Sequence, residues 1–281
     1  MFGGMPLLRR WLPVAGWALS AIGFASFASL VWQSTLRDGG FAYDLHAYLL
    51  AGRHLLDGTP LYAPMQINDF GAYRYPPTFA VLAAPFTFVP EPIVTWAYRL
   101  ACVACVRYLV GSWRAVGWAL LFTPVQIELV ALNVTLPIAA AARAALRGSR
   151  GGVISLPATA AAKFGTALLL PYLWVVAPRS RRRLVAGAAI VVVAFGLHAL
   201  LDPAAWPSYL ASLTQQAGSP NDAPFVGEQL LFLVPSTLGD FLLRFGIGAL
   251  LVVAAIQRRW AWLAFVAAAI AVPTLWAARL A

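Results

Sequence analysis

WLPVAGWALSAIGFASFASLVW, residues Trp11–Trp32, runs for 22 residues without one charged side chain. About 20 apolar residues in a helix cross the hydrocarbon core of a bilayer. The segment therefore reads as a membrane span. It is longer than the apolar core of a signal peptide, and no small-residue cleavage site with a polar start follows it. The rest of the 281-residue chain has the same character, 61% hydrophobic and 11% charged, where a soluble domain carries roughly 25% charged residues. The expectation is an all-α polytopic membrane helix bundle. One integral membrane domain, residues 1–281, would hold about eight to ten membrane segments, some of them short or re-entrant.

A net charge of +10 would suggest nucleic acid in a soluble protein, but the cations lie between apolar segments and not on one amphipathic face. Arg9 and Arg10 precede the first span. Arg143, Arg147 and Arg150 close a later one, Arg179 and Arg181 to Arg183 the next, and Arg258 with Arg259 separates the last two. Basic clusters of this kind mark cytoplasmic loops. The N-terminus is then cytoplasmic, residues 33–76 form a first extracytoplasmic loop and residues 202–240 a second. Nucleic acid is not expected as a partner; the bilayer is. Cys102 and Cys105 lie in an apolar segment with no second pair and no nearby histidine, so they read as small apolar residues of a helix.

Within the first loop the sequence expects a helix from Tyr43 to Leu56 stopped by Gly58, then irregular chain through TPLYAPMQINDFGAYRYPP, residues 59–77. Short apolar chain from Phe79 to Val89 re-enters the membrane, and a span follows from Val94 to Val110. Residues 115–146 are interrupted at Pro124 and again around Asn133 and Pro137. Irregular backbone at membrane depth is tolerated only where protein or a wet cavity covers it, so these breaks point to a nearby site. VISLPATAAAKFGTALLLPYLWVVAP, residues 153–178, has basic flanks on both sides and must go in and come back, turning near Lys163-Phe164-Gly165. Lys163 is the only lysine of the chain. An ammonium inside such a hairpin costs roughly 2.5–3.5 kcal/mol unless it finds a partner or water, which leaves an anionic partner or snorkelling to the interface. Spans over residues 184–201, 241–256 and 260–278 complete the expected topology.

This topology gathers Asp44, His46, Arg53, His54, Asp57, Arg74, Lys163 and Glu228 on the outer side. The chain has no Gly-rich phosphate loop, HExxH or Ser-His-Asp spacing, so soluble nucleotide chemistry and metalloprotease chemistry lack support. An acid facing cations at a lipid surface suits transfer from a lipid phosphate. The acid takes the proton of an incoming hydroxyl while Lys or Arg neutralises the departing phosphate. Asp44 and Tyr48, four residues apart, share a helix face and can address one cavity; the plainer reading of Asp44 is an acid favoured at a helix start. His46 and His54, eight apart, do not suggest a metal site. Arg53 fits a phosphate, a lipid headgroup or an ordinary interfacial arginine.

The loop residues Asp44, Tyr48, Ala51-Gly52, Leu55, Gly58, Leu61-Tyr62 and Tyr75-Pro76-Pro77 resemble the first external loop of glycosyltransferase family 87. These are polyprenyl-phosphate-dependent membrane mannosyl- and arabinofuranosyltransferases of the GT-C class. TPVQIELVALNVT, residues 123–135, is similar to the family's segment leading into a Gly-Gln-x-Asn pattern, and AAAKFGTALLLPYLW, residues 160–174, to its Ala-rich Lys segment. Leu132, Asn133 and Thr135 stand where the family usually has Gly, Gln and Asn. The lysine also lacks the proline that usually follows it. The resemblance implies a general-base role for Asp44 and inverting transfer of mannose or arabinofuranose from polyprenyl phosphate. The acceptor would be a cell-envelope glycolipid or polysaccharide at the extracytoplasmic face. Lys163 and Arg74 are then candidate phosphate contacts, and Tyr48, His46, Arg53, Tyr75 and Asn133 further substrate-binding residues. No cofactor is implied beyond the lipid-linked donor, and metal dependence stays open. A non-catalytic binder or translocator of lipid-linked sugar, or a structural subunit of an envelope-synthesis complex, would keep the same cations without needing Asp44.

Overall fold

The computed structural model of the protein describes residues 6–38, 42–62, 73, 75–218 and 237–271. These form 13 α-helices, with no strand among the described residues. In chain order they are α1 (Pro6–Asp38), α2 (Tyr43–Asp57), α3 (Thr78–Ala83), α4 (Glu91–Val110), α5 (Trp113–Ala119), α6 (Thr123–Ala131) and α7 (Thr135–Leu146). Then come α8 (Arg150–Ala162), α9 (Leu169–Val176), α10 (Arg181–Leu201), α11 (Ala205–Gly218), α12 (Thr237–Arg258) and α13 (Ala261–Ala271). The architecture is the expected all-α polytopic one. Among the described residues, Pro13–Thr35, Glu91–Val110 and Pro178–Leu201 are long and apolar enough to cross a membrane. Helices α5 and α6 qualify as a pair bent by 95°, and shorter apolar helices occupy Thr78–Phe88, Thr135–Leu146, Thr166–Val176 and Gly246–Arg258. Much of the expected membrane-segment count thus consists of short helices, because Pro, Gly and one left-handed leucine cut the apolar chain.

Two boundaries moved. Helix α1 continues to Asp38 into what the sequence assigned to the first external loop. The Ser34 and Thr35 hydroxyls each donate to the Val31 carbonyl at 2.8 Å, and no breaker occurs before Gly39-Gly40. Part of the chain assigned to the second external loop forms α11. Ala205, Tyr209 and Ser212, at spacings of four and three, are its buried face. Other expectations are met closely. Gly58, at φ +66°, stops α2, and the Thr59 N–H returns to the His54 carbonyl at 2.9 Å.

The chain divides into two compact units, Met1–Leu45 with Pro90–Ala140, and His46–Val89 with Ala141–Ala281. In the first, α1 packs on α5 through small residues. Gly23 and Ser20 meet the backbone of Gly117, and the Trp118 indole donates to the Gly16 carbonyl at 2.8 Å. Its core joins Cys102, Val106, Val116, Leu120, Leu129 and Leu136. Cys102 is therefore packing material, and both cysteines are free thiols.

In the second unit, α8 and α9 are separated by a 3-10 turn, Phe164–Leu168. Helix α10 lies against α8 with Gly187 facing the Ile154 backbone, around a core that includes Val153, Leu156, Leu169, Tyr172 and Leu173. Helix α2 crosses the start of a short 3-10 turn, Ala84–Phe88, at Gly52. A Cβ there would lie 2.8 Å from the Ala84 nitrogen and 2.9 Å from the Ala83 carbonyl carbon. Replacing a helical glycine by alanine gains up to about 1 kcal/mol of propensity, whereas forced overpacking costs about 1–3 kcal/mol. Because the obstacle is backbone, the second effect wins. Gly52→Ala is expected to lower the thermal midpoint of the purified protein by several degrees. Gly196→Ala in α10, where a Cβ meets nothing within 4 Å, is expected not to lower it.

Candidate active site

Asp44 stands in the first turn of α2, where the free N–H groups of a helix start favour an acid. It is only 7% exposed. Its Oδ2 accepts a hydrogen bond from Asn133 Nδ2 at 2.8 Å. How asparagine comes to be there follows from the end of α6. Leu132 closes that helix in the left-handed region, φ 59° and ψ 46°, its N–H returning to the Glu128 carbonyl. For leucine this conformation costs roughly 1–2 kcal/mol. Leu132 is fully buried, and deleting a buried leucine costs about 2–5 kcal/mol, so packing outweighs the strain. The sharp exit turns Asn133 back onto the start of α7. Its Oδ1 accepts from the Thr135 backbone N–H at 3.1 Å and from the Thr135 hydroxyl at 2.8 Å.

Those bonds fix the amide. A backbone N–H only donates, so the atom facing Thr135 must be the oxygen, and the NH₂ group is left for Asp44. The carboxylate is thereby held as an acceptor by a neutral donor. Arg99 of α4, 3% exposed, completes the arrangement from the other side. Its Nε donates to the Leu129 carbonyl at 3.3 Å, one of the carbonyls that the end of α6 leaves without a helical partner. Its guanidinium also lies 4.8 Å from the Trp96 ring centroid. The sequence reading passed over Arg99, although a charge in the middle of a span was a visible signal.

Residues along α2 sort into two faces. His46, Leu50, Arg53 and Asp57 form its exposed stripe, while Asp44, Ala47, Ala51 and Gly52 are buried and Tyr48 is half-buried. His46 and Arg53 therefore do not share the face of Asp44; Tyr48 does. The Tyr48 and Tyr75 hydroxyls lie 3.3 Å apart, and their rings meet edge to face at 5.4 Å. Four more aromatic residues extend this pair. Tyr73 lies 6.0 Å from Tyr75, Tyr62 5.9 Å from Tyr73, and Tyr209 of α11 5.7 Å from Tyr62. Trp206 follows at 6.3 Å from Tyr209. The Tyr62 hydroxyl donates to the Tyr75 carbonyl at 2.7 Å and the Tyr73 hydroxyl to the Pro76 carbonyl at 3.0 Å. Each such ring pair contributes about 0.5–1.5 kcal/mol beyond its burial, enough together to fasten this loop to α11.

Lys163 caps the C-terminal end of α8, half-buried, with extended backbone at the break before the 3-10 turn Phe164–Leu168. Its carbonyl accepts from the Thr166 N–H at 3.1 Å and hydroxyl at 2.9 Å. The helix break thus falls where the sequence expected the chain to turn. Arg74 and Glu228 lie outside the described residues. Among the described residues no three His, Cys, Asp or Glu side chains come together as a metal site.

Residues 73–281 match the model of glycosyltransferase family 87. The chain belongs to glycosyltransferase family 87. No curated protein and no solved structure matches it. The matched stretch contains Arg74, Tyr75, Asn133 and Lys163 of the sequence candidates, whereas Asp44, His46, Tyr48 and Arg53 precede it. In this family 87 member the residues that spacing could not reveal are Arg99, Tyr209 and Trp206, since their partners are distant in sequence.

Burial pushes the Tyr62 hydroxyl well above the usual tyrosine value, with Tyr209 and Asp202 adding to the effect. Burial likewise raises Tyr73 and Tyr209. The folded chain keeps these protons at pH values where the unfolded chain releases them, so the stability they contribute is full below about pH 10 and falls as pH rises above it. An absorbance titration at 295 nm is expected to show a group of tyrosines ionising only with alkaline unfolding, and Tyr62→Phe to reduce that step.

Proposed function

We propose that this family 87 enzyme transfers mannose or arabinofuranose, with inversion, from a polyprenyl-phosphate donor to a cell-envelope glycolipid or polysaccharide, with Asp44 as general base. The reaction would take place at the extracytoplasmic face, the basic clusters lying on the cytoplasmic side. The observation that carries the reading is the buried Asp44 carboxylate accepting from Asn133 Nδ2 at 2.8 Å. A base must be present as an acceptor and held in one orientation, and a fixed amide donor supplies both conditions.

The steps then balance simply. An acceptor hydroxyl gives its proton to Asp44 as its oxygen bonds to the anomeric carbon. The bond from that carbon to the phosphate oxygen breaks, and its electron pair stays on the polyprenyl phosphate. Cations stabilise that leaving group without protonating it, a role assigned here to Lys163 and Arg74. Tyr48 and Tyr75 are assigned to sugar contact, and the exposed His46 and Arg53 to the lipid-phosphate headgroup.

The test is transfer of labelled sugar from polyprenyl-phosphomannose, and separately from polyprenyl-phosphoarabinose, to a membrane extract. Purified wild-type, Asp44→Asn and Asn133→Ala proteins are compared. Asp44→Asn is expected to lose about 10²–10⁴-fold in kcat, the usual contribution of a general base. Asn133→Ala is expected to lose about 10–100-fold, matching the roughly 1.5–3 kcal/mol of a hydrogen bond to a charged group, with little change in donor KM. Transfer by Asp44→Asn at the wild-type rate would remove Asp44 from the mechanism.

A further inference from the structure

At the far end of the aromatic run, the last turn of α10 carries His198, 6% exposed. Neither of its ring nitrogens has a hydrogen-bond partner among the described residues, and the same is true of the Trp206 indole nitrogen. The two rings meet edge to face at 6.4 Å. Phe195 stands one helical turn before His198, its ring 5.1 Å from Trp206, and Tyr209 lies on the other side of Trp206 at 6.3 Å. A buried imidazole with both nitrogens unmet, inside an otherwise apolar helix, is an expensive arrangement if nothing binds it.

The chemistry that would satisfy this cluster is narrow. A neutral imidazole offers one donor and one acceptor, and an indole offers a donor only. Hydroxyl groups, which both donate and accept, complement that set. An acyl chain would leave all three nitrogens unmet. Three aromatic rings beside the polar atoms suit the C–H face of a ring that carries several hydroxyls.

We propose that His198 and the Trp206 N–H form a subsite for the hydroxyls of a sugar ring, seated against Phe195, Trp206 and Tyr209. The inference rests on the sugar-transfer reading and deepens it. The same chemistry fits the sugar being transferred and a sugar already carried by the acceptor.

Full-length protein in nanodiscs is titrated with methyl α-D-mannopyranoside and methyl α-D-arabinofuranoside, which mimic acceptor sugars, and with polyprenyl-phosphomannose and polyprenyl-phosphoarabinose. Wild type is compared with His198→Phe. The expected result is binding of at least one probe by wild type and a loss of tenfold or more in His198→Phe. Its thermal midpoint should hold or rise, because a ring with no unmet nitrogen replaces one with two. Loss confined to the free glycosides assigns the subsite to the acceptor; loss confined to the lipid-linked probes assigns it to the transferred sugar. Should His198→Phe not fold, Trp206→Phe, which removes the N–H and keeps an aromatic ring, reads the same loss.

Affinities within twofold of wild type for every probe, or no probe bound by wild type, would overturn the proposal in favour of an enclosed water. The transfer assay separates this outcome from failure of the reaction itself. Binding through His198 without transfer leaves the subsite standing and removes the reaction, and transfer with unchanged His198→Phe binding does the reverse.

Discussion

An apolar helix that stops inside an apolar stretch leaves carbonyls at one end and N–H groups at the next, and lipid offers neither a partner. The break between α6 and α7 is where this protein meets that constraint. Leu132 turns the chain in the left-handed region and returns its own N–H to Glu128. Arg99 reaches from α4 to the Leu129 carbonyl. Asn133 takes the Thr135 N–H. The candidate acid depends on this solution, because the amide that mends the helix start is the one that holds Asp44. The repair and the site cannot be altered separately.

A second consequence runs along α2. Its first turn carries Asp44 and its next turn Tyr48, so the acid and the first of the linked aromatic rings share one helix face. Gly52, another turn on, lets that helix approach the Ala83-Ala84 backbone at a separation no side chain would permit. Two hydroxyl-to-carbonyl bonds tie the loop to itself, and the Tyr62–Tyr209 ring contact joins it to α11. Strength here comes from several modest contacts, each weak in isolation.

Hydropathy and punctuation made much of this legible before any coordinates. The first span, the stop at Gly58, the break near Asn133 and the helix break at Lys163 all follow from runs of apolar residues ended by Gly, Pro or a charge, which are local properties. Helix α11 was missed because Pro, Ser and Gly in its neighbourhood resemble loop chemistry, while its apolar spacing of four and three is short. The site was legible only in part. Asp44 could be nominated from its position, but its partner lies 89 residues away, and Arg99 meets Leu129 across 30. Spacing rules reach one or two helical turns, so contacts of this kind are set by packing alone.

What the Asn133 amide contributes to the acid can be argued from electrostatics. An arginine in the place of Asn133 would form an ion pair, and a nearby positive charge favours the ionised carboxylate and opposes proton uptake. A general base must accept a proton during the reaction. The Asn133 amide donates to the carboxylate while adding no net charge of its own. The buried cation of this unit, Arg99, is meanwhile bonded to a backbone carbonyl and an aromatic face. On the proposed mechanism, positive charge is needed at the departing phosphate, and the Asn133 amide, fixed by Thr135, orients the base without adding to that charge.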